Sequence, residues 1–237
     1  MTEKIVVAFG GNAILRAKQK GTAAEQRANV HIACSTVADL IAAGNQVIVT
    51  HGNGPQVGAV LLQNETAQAL TPAMPLDMCG AGTQGQIGYM IQQSLANILH
   101  QRGIDKTVVS VVTQVLVDEK DSAFTNPTKP IGSFYTALEA EQFTKEKGWT
   151  LKEDKARGGW RRVVPSPDPI SIVEKAALEV LIKAGVIVVA SGGGGIPVVL
   201  HDGLYKGVEA VIDKDLAGER LASDVKADTL IVLTDVA

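Results

Sequence analysis

Ile5-Val6-Val7-Ala8-Phe9 runs directly into Gly10-Gly11-Asn12, and Val47-Ile48-Val49-Thr50 runs into His51-Gly52-Asn53-Gly54. A third apolar run, residues 186–190, opens into Ser191 and then Gly192-Gly193-Gly194-Gly195. Unbroken apolar runs of this length read as strands buried on both faces, as in parallel sheets. Bare backbone at the carboxyl ends of such strands is where open α/β sheets hold anionic ligands. One glycine turn can simply end a strand. Three in one chain point to a site that grips two small anions, or a phosphate passing between them.

Outward from these turns, strand and helix alternate over the first 116 residues. Val30, Cys34, Val37 and Ile41 recur at helical spacing, with Gly44 as a stop. A helix is predicted over 55–70, ended by Thr71-Pro72 and Pro75, and another over 87–99. Residues 107–117 read as one buried strand. The stretch 118–168 breaks the alternation: it holds Pro127, Pro130, Pro165 and Pro167, with Pro169 just beyond, most of the aromatic residues, and one short polar helix over 137–147. A break of that length is a lid or small subdomain rather than a plain loop. The alternation then resumes with a helix over 172–183, the 186–190 strand, a hairpin at His201-Asp202-Gly203, a helix over 216–225 and a strand over 229–233. The fold expected is α/β, a three-layer sandwich with a mostly parallel central sheet. Its parts are an N-terminal half (1–117), a protruding lid (118–168) and a second half (169–237).

The 237 residues, 46% of them hydrophobic, suffice for a substantial core. A formal charge of −3 and the lack of a basic stripe with interleaved aromatics speak against nucleic acid as a partner. Cys34 and Cys79 are far apart and form no Cys-x-x-Cys pair, so neither a disulfide framework nor a zinc site is indicated. The start, Met1-Thr2-Glu3-Lys4, leads into a short strand rather than a long apolar stretch. No membrane association is expected, and a cytoplasmic location is.

Gly80, Gly82 and Gly85 spell a literal G-x-G-x-x-G, with Asp105 twenty residues beyond Gly85. A dinucleotide fingerprint needs a strand just before its first glycine. Here Pro72-Ala73-Met74-Pro75-Leu76-Asp77 precedes it, which cannot be a central strand. These glycines are expected instead to let a helix start close to another backbone. There is no G-x-x-x-x-G-K-[ST], G-x-S-x-G or H-E-x-x-H. His51, inside the second glycine turn, is read as pinning the loop or touching ligand rather than as a base. The absence of an obvious general base is informative. Phosphoryl transfer to an acceptor that is already anionic needs alignment and positive charge, not proton removal. Backbone N–H groups of Gly10-Gly11-Asn12 and Gly52-Asn53-Gly54 can hold the oxygens. Lys129, bracketed by Pro127 and Pro130, and Lys214, beside Asp213, supply the cations.

Five stretches carry a resemblance: Ala8-Phe9-Gly10-Gly11-Asn12-Ala13, Thr50-His51-Gly52-Asn53-Gly54-Pro55-Gln56-Val57-Gly58, Arg161-Arg162-Val163-Val164-Pro165-Ser166-Pro167, Ala190-Ser191-Gly192-Gly193-Gly194-Gly195-Ile196-Pro197, and Gly207-Val208-Glu209-Ala210-Val211-Ile212-Asp213-Lys214-Asp215. In this order they resemble the amino-acid kinase family, most closely its carbamate kinase branch. The resemblance implies reversible transfer of a phosphoryl group between ATP and carbamate, giving ADP and carbamoyl phosphate. In many relatives this runs toward ATP during breakdown of arginine or purine derivatives. It also implies a Mg2+ ion on the phosphates, with no protein ligand named, and a homodimer. By the same resemblance Gly10, Gly11, Asn12, Gly52, Asn53 and Gly54 hold the carbamate and the migrating group, and Lys129, Lys214 and Asp213 act on the phosphates. Ser191, Gly192, Gly193 and Gly194, with Thr234, Asp235 and Val236, border the nucleotide.

Most of the family carries a lysine two residues before the Gly-Gly pair, where this chain has Ala8. In the carbamate kinase branch a lid lysine takes that place, and Lys129 matches it. Ala8 disfavours a sister kinase acting on a larger acid or a nucleotide. The sequence stops at Ala237, where the family continues into more nucleotide-binding structure. A fragment or a truncated variant is the expectation, with a non-catalytic ligand-binding relative as the alternative to an enzyme.

Overall fold

The computed structural model describes residues 2–16, 19–155 and 158–233, the side chains of Asn12 and Ser133 excepted. In chain order the elements are β1 (Lys4–Phe9), α1 (Gly11–Ile14), α2 (Ala23–Ala42), β2 (Gln46–His51), α3 (Gly54–Ala67), α4 (Leu76–Gln101), β3 (Val108–Ser110), β4 (Gln114–Leu116), β5 (Lys129–Tyr135), α5 (Ala137–Lys147), β6 (Leu151–Glu153), β7 (Trp160–Val164), β8 (Ser171–Ile172), α6 (Lys175–Lys183), β9 (Ile187–Val189), β10 (Ile196–His201), β11 (Leu204–Gly207), α7 (Lys214–Asp224) and β12 (Thr229–Leu233).

The central sheet has the order β12-β1-β2-β9-β3 and is parallel throughout. The middle of each inner strand is apolar on both faces because both faces are covered. Val7, Phe9, Val47, Val49 and Val189 pack under α2 and α4, against Val30, Val37, Ile91 and Leu95. The alternate residues Val6, Ile48 and Val188 pack on the other side, against Leu178 and Ile182 of α6, Leu221 of α7 and Val115 and Val199 of the second sheet. That second sheet, β11-β10-β4-β8, is mixed. Cys34 lies in the first core, where burial pushes its thiol up to about 12.

The helix predicted over 30–41 is α2, started by a reciprocal Thr22–Glu25 capping box. The 137–147 helix is α5, capped likewise by Thr136 and Glu139 and ended by Gly148 at φ 65. The hairpin turn has Asp202 at φ 50 and Gly203 at φ 78 between antiparallel strands.

Three expectations need correction. Residues 107–117 are two strands in different sheets, β3 and β4, divided by a bend at 111–113. An uninterrupted apolar run carries no local mark of where it turns. Second, α4 begins at Leu76 and runs straight through Gly80, Gly82 and Gly85. A Cβ at any of these three would meet nothing within 4 Å, so they permit no close backbone approach. The close contact on this helix comes one turn later and is with a side chain: a Cβ on Gly88 would run into Ser110. The helix is anchored early because the Leu76 N–H, an orphan donor of the first turn, reaches Glu209 Oε1 at 2.8 Å. Third, the helix predicted over 172–183 is shorter: residues 171–172 pair with β4, and α6 starts at Lys175.

Within 118–168 lies a three-stranded antiparallel sheet, β5-β7-β6, backed by α5. Tyr135, Phe143 and Trp149 cluster with ring centroids 5.1–6.3 Å apart, with Lys147 and Arg162 over the Trp149 ring. Ile131 and Val164 seat this unit on Val57 and Leu61 of α3. The seam is tight: a Cβ on Gly58 would stand 3.1 Å from Gly132 Cα.

Candidate active site

Parallel pairing puts the carboxyl ends of β1, β2 and β9 on one edge of the central sheet. Phe9 is in register with His51, and Val49 with Val189. Gly52 donates its N–H to Phe9 O at 3.0 Å, and Thr50 Oγ1 donates to Ser191 O at 3.0 Å. The three glycine turns therefore meet. Close packing locks them together: a Cβ on Gly193 would run into the Asn53 carboxamide, and one on Gly192 into the His51 ring. Ser191 (φ 54) and Gly193, Gly194 and Gly195 (φ 66, 92 and 81) are all left-handed, a path that glycine follows without strain. Gly11, Asn53, Gly54 and Gly193 make no backbone N–H hydrogen bond among the described residues. The first turn of α3 opens here with Pro55, and its amino end presents positive partial charge to the same edge.

The charged residues arrive from two other directions. Lys129 opens β5, the first strand of the 118–168 unit, and its Nζ sits 2.5 Å from Asp213 Oδ2. Asp213 is also the N-cap of α7, accepting the Asp215 N–H at 2.9 Å on its other oxygen. Partial burial pushes the Asp213 carboxyl up, but the Lys129 ammonium, the Asp215 N–H and the Lys214 charge outweigh it and hold its pKa below the ordinary value. Lys214 lays its stem across the second turn, its Cδ 3.1 Å from where a Gly52 Cβ would be, and its Nζ meets Asp215 Oδ1 at 2.7 Å. Lys129, Asp213, Lys214, Gly52, Asn53 and Gly193 thus form one chain of contacts. Thr234, Asp235 and Val236 lie outside the described residues. Of Asn12, the backbone is in α1.

His51 pins its own loop. Its Nδ1 is 3.0 Å from Gly52 O, and burial lowers its pKa to about 4, so the ring is neutral at pH 7. Its Nε2 and the Ser191 Oγ are buried without a hydrogen-bond partner among the described residues. Ala8 is buried on the α7 side, facing Gly218. Among the described residues no cluster of three or more His, Cys, Asp or Glu could hold a metal. An open cleft beside the β5-β7-β6 sheet, lined by Trp149, Arg162, Pro165 and Glu209 among others, shares no residue with the glycine turns.

Sequence reasoning missed a buried polar group behind the turns: Thr83 and Gln84 of α4, and Thr113 in the 111–113 bend. Asn53 Nδ2 donates to Thr83 Oγ1 at 2.9 Å, and Gln84 Nε2 donates to Gly192 O at 2.8 Å. The signal available was an adjacent Thr-Gln pair next to an apolar helical stripe, which reads equally well as a solvated face.

The amino acid kinase family model matches residues 3–237. A carbamate kinase of Pyrococcus horikoshii is 56% identical over 238 residues, covering 100% of this chain and 76% of that protein. One from Clostridium perfringens is 49% identical, covering 98% and 75%. Carbamate kinase from Giardia lamblia bound to AMP-PNP superposes with a TM-score of 0.92 at 49% identity, over 99% of this chain and 74% of that one. No helix among the described residues is long and apolar enough to cross a membrane. The chain belongs to the amino acid kinase family, and within it to the carbamate kinases.

Proposed function

We propose that this chain transfers a phosphoryl group between ATP and carbamate, directly and reversibly. The observation that carries the proposal is the convergence of Lys129, Asp213 and Lys214 on the Gly52 turn where it touches Gly193. Carbamate is already an anion, so transfer demands no proton abstraction. The one histidine in the turns is neutral, buried and bound to its own loop. What remains is positioning and charge, which is what phosphoryl transfer requires.

In this reading the free N–H groups of Gly11, Asn53 and Gly54 hold the carbamate and the oxygens of the migrating group. Gly193 closes the seat from the β9 side. Lys129 and Lys214 rest on Asp213 and Asp215, and an arriving phosphate competes for both ammonium groups. Asp213 holds Lys129, and Asp215 at the start of the same helix holds Lys214, so one helix end orients both ammonium groups. Ala8 leaves no cation on β1, and Lys129 supplies one from the lid. Ser191, Gly192 and Gly194, with Thr234, Asp235 and Val236, border the nucleotide. A Mg2+ ion bound with the nucleotide would supply charge neutralisation on the phosphates. The same reading makes residues 1–117 the acceptor-binding half, 118–168 the lid and 169–237 the nucleotide half. It also includes a cytoplasmic homodimer forming ATP in arginine or purine-derivative breakdown.

Coupled measurement of ADP release tests it, with ATP and Mg2+ offered against ammonium carbamate, N-acetylglutamate, aspartate or UMP. Release dependent on carbamate alone is the expected result. Release with one of the other acceptors, and none with carbamate, would make the chain a sister kinase.

A further inference from the structure

Where α4 passes behind the glycine turns, two of its buried positions are polar: Thr83 is 0% and Gln84 2% exposed. Thr83 Oγ1 accepts from Asn53 Nδ2 at 2.9 Å and donates to Gly80 O at 2.9 Å. Gln84 is used at both ends. Its Nε2 donates to Gly192 O at 2.8 Å and Thr113 O at 3.3 Å, and its Oε1 accepts the Thr113 N–H at 2.6 Å. Thr113 Oγ1 in turn accepts the Ser191 N–H at 2.8 Å, while Thr50 Oγ1 donates to Ser191 O at 3.0 Å. The left-handed Ser191, the residue that swings the glycine loop over the sheet edge, is thereby held on both sides by threonines. Gln84 fixes the bend that carries one of them. Gln84 is paired at both its amide nitrogen and its amide oxygen, so it holds one geometry, and removing its donor leaves the buried Gly192 carbonyl without that bond.

We infer that Gln84 is a positioning residue for the phosphoryl-transfer seat: it sets the spacing between the Gly52-Asn53-Gly54 turn and the Ser191–Gly195 loop. The inference rests on the function proposed above. It also gives the 80–85 segment a role unrelated to dinucleotide binding: the helix carries Thr83 to one turn and Gln84 to the other. A Gln84 that merely fills space would affect thermal stability and the fraction of folded protein, not substrate affinity or loop order.

Two variants test it. Gln84→Met keeps the volume and removes every hydrogen bond. Gln84→Glu keeps the shape but, when ionised, turns an acceptor toward the Gly192 and Thr113 carbonyls; protonation of the introduced carboxyl restores one donor. For folded protein, normalised by calorimetric ADP-binding stoichiometry, Gln84→Met is expected to raise KM for carbamoyl phosphate at least threefold and lower kcat/KM at least tenfold. Amide exchange over 191–195 and at Thr113 should accelerate, with β1 and β2 unchanged. Gln84→Glu should lose activity at pH 8 and recover part of it toward pH 6, against the wild-type profile. Wild-type KM in both variants, or loop exchange no faster than in the parent, would overturn the inference. If the parent chain transfers no phosphoryl group, the function proposed above fails, and loop exchange alone decides the role of Gln84.

Discussion

Replacing Gly193 by alanine tests the junction of the turns at its tightest point. Gly193 has φ 66, where alanine is disfavoured by about 1–2 kcal/mol. The new methyl would fall on the Asn53 carboxamide, which is 6% exposed and already committed to Thr83. Asn53 must turn away, and losing that hydrogen bond adds about 1 kcal/mol. The total, roughly 2–3 kcal/mol, corresponds to a fall in thermal midpoint of about 4–12 °C for a chain of this size. The catalytic effect is larger. Asn53 and the Gly193 amide both leave the seat, and removing one preorganised donor lowers kcat by about 100-fold or more in comparable sites. Gly203→Ala is the control: φ is 78, but nothing lies within 4 Å of the new methyl, and the turn is remote from the site. ATP formation from ADP and carbamoyl phosphate, with thermal denaturation alongside, reads both effects. Gly193→Ala should lose at least 100-fold in kcat/KM and Gly203→Ala almost nothing. Equal losses in the two, or activity within threefold of wild type in Gly193→Ala, would refute the packing account of the seat.

Lys129→Ala and Lys214→Ala should each lower turnover at least tenfold, roughly 1.4 kcal/mol of transition-state stabilisation, with thermal midpoints barely moved. Both ion pairs are partly exposed and contribute under about 1 kcal/mol to stability; wild-type rates in both variants would contradict the assigned roles. Gly58→Ala should push the lid away from α3, because its methyl meets the Gly132 backbone. A severalfold loss of kcat/KM is then expected through Lys129, and unchanged kinetics would show that the seam does not place that lysine. His51 gives a pH signature. Its folded pKa, lowered by burial to about 4, lies below an unfolded value near 6.5, so the unfolded chain takes up the proton first. Its contribution is intact above pH 6.5 and falls by about 2 kcal/mol at pH 5; urea unfolding at pH 7 and pH 5 should show this slope in wild type and a shallower one in His51→Asn, and equal slopes would refute it.

The central strands were legible because both of their faces are covered, which makes their middles continuous apolar runs and each closing glycine conspicuous. The hairpin at Asp202-Gly203 was legible for a local reason, two residues tolerant of positive φ between apolar runs. The bend at 111–113 was not, since what holds it is Gln84, on a helix 29 residues upstream of Thr113 in sequence. The true start of α4 was hidden by Pro72, Pro75 and the helix-weakening glycines, and its cap comes from Glu209, far along the chain. The strands of the 118–168 unit left no clear alternation in the sequence: β5 carries Pro130 and Gly132 and has an irregular register, β6 has three residues, and their support is the α3 seam. Lys129 and Asp213 each stood out in the sequence as groups able to handle phosphates, but spacing could not pair residues 84 apart; the structure places them 2.5 Å from each other.

The central claim is that strand-tip amides and a lid lysine suffice, without a base, to move a phosphoryl group off carbamoyl phosphate. The most direct measurement is the initial rate of ATP formation when folded chain meets ADP, Mg2+ and carbamoyl phosphate. The account predicts ATP in proportion to protein, at least tenfold slower with Lys129→Ala. No ATP from folded chain that still binds ADP would contradict it.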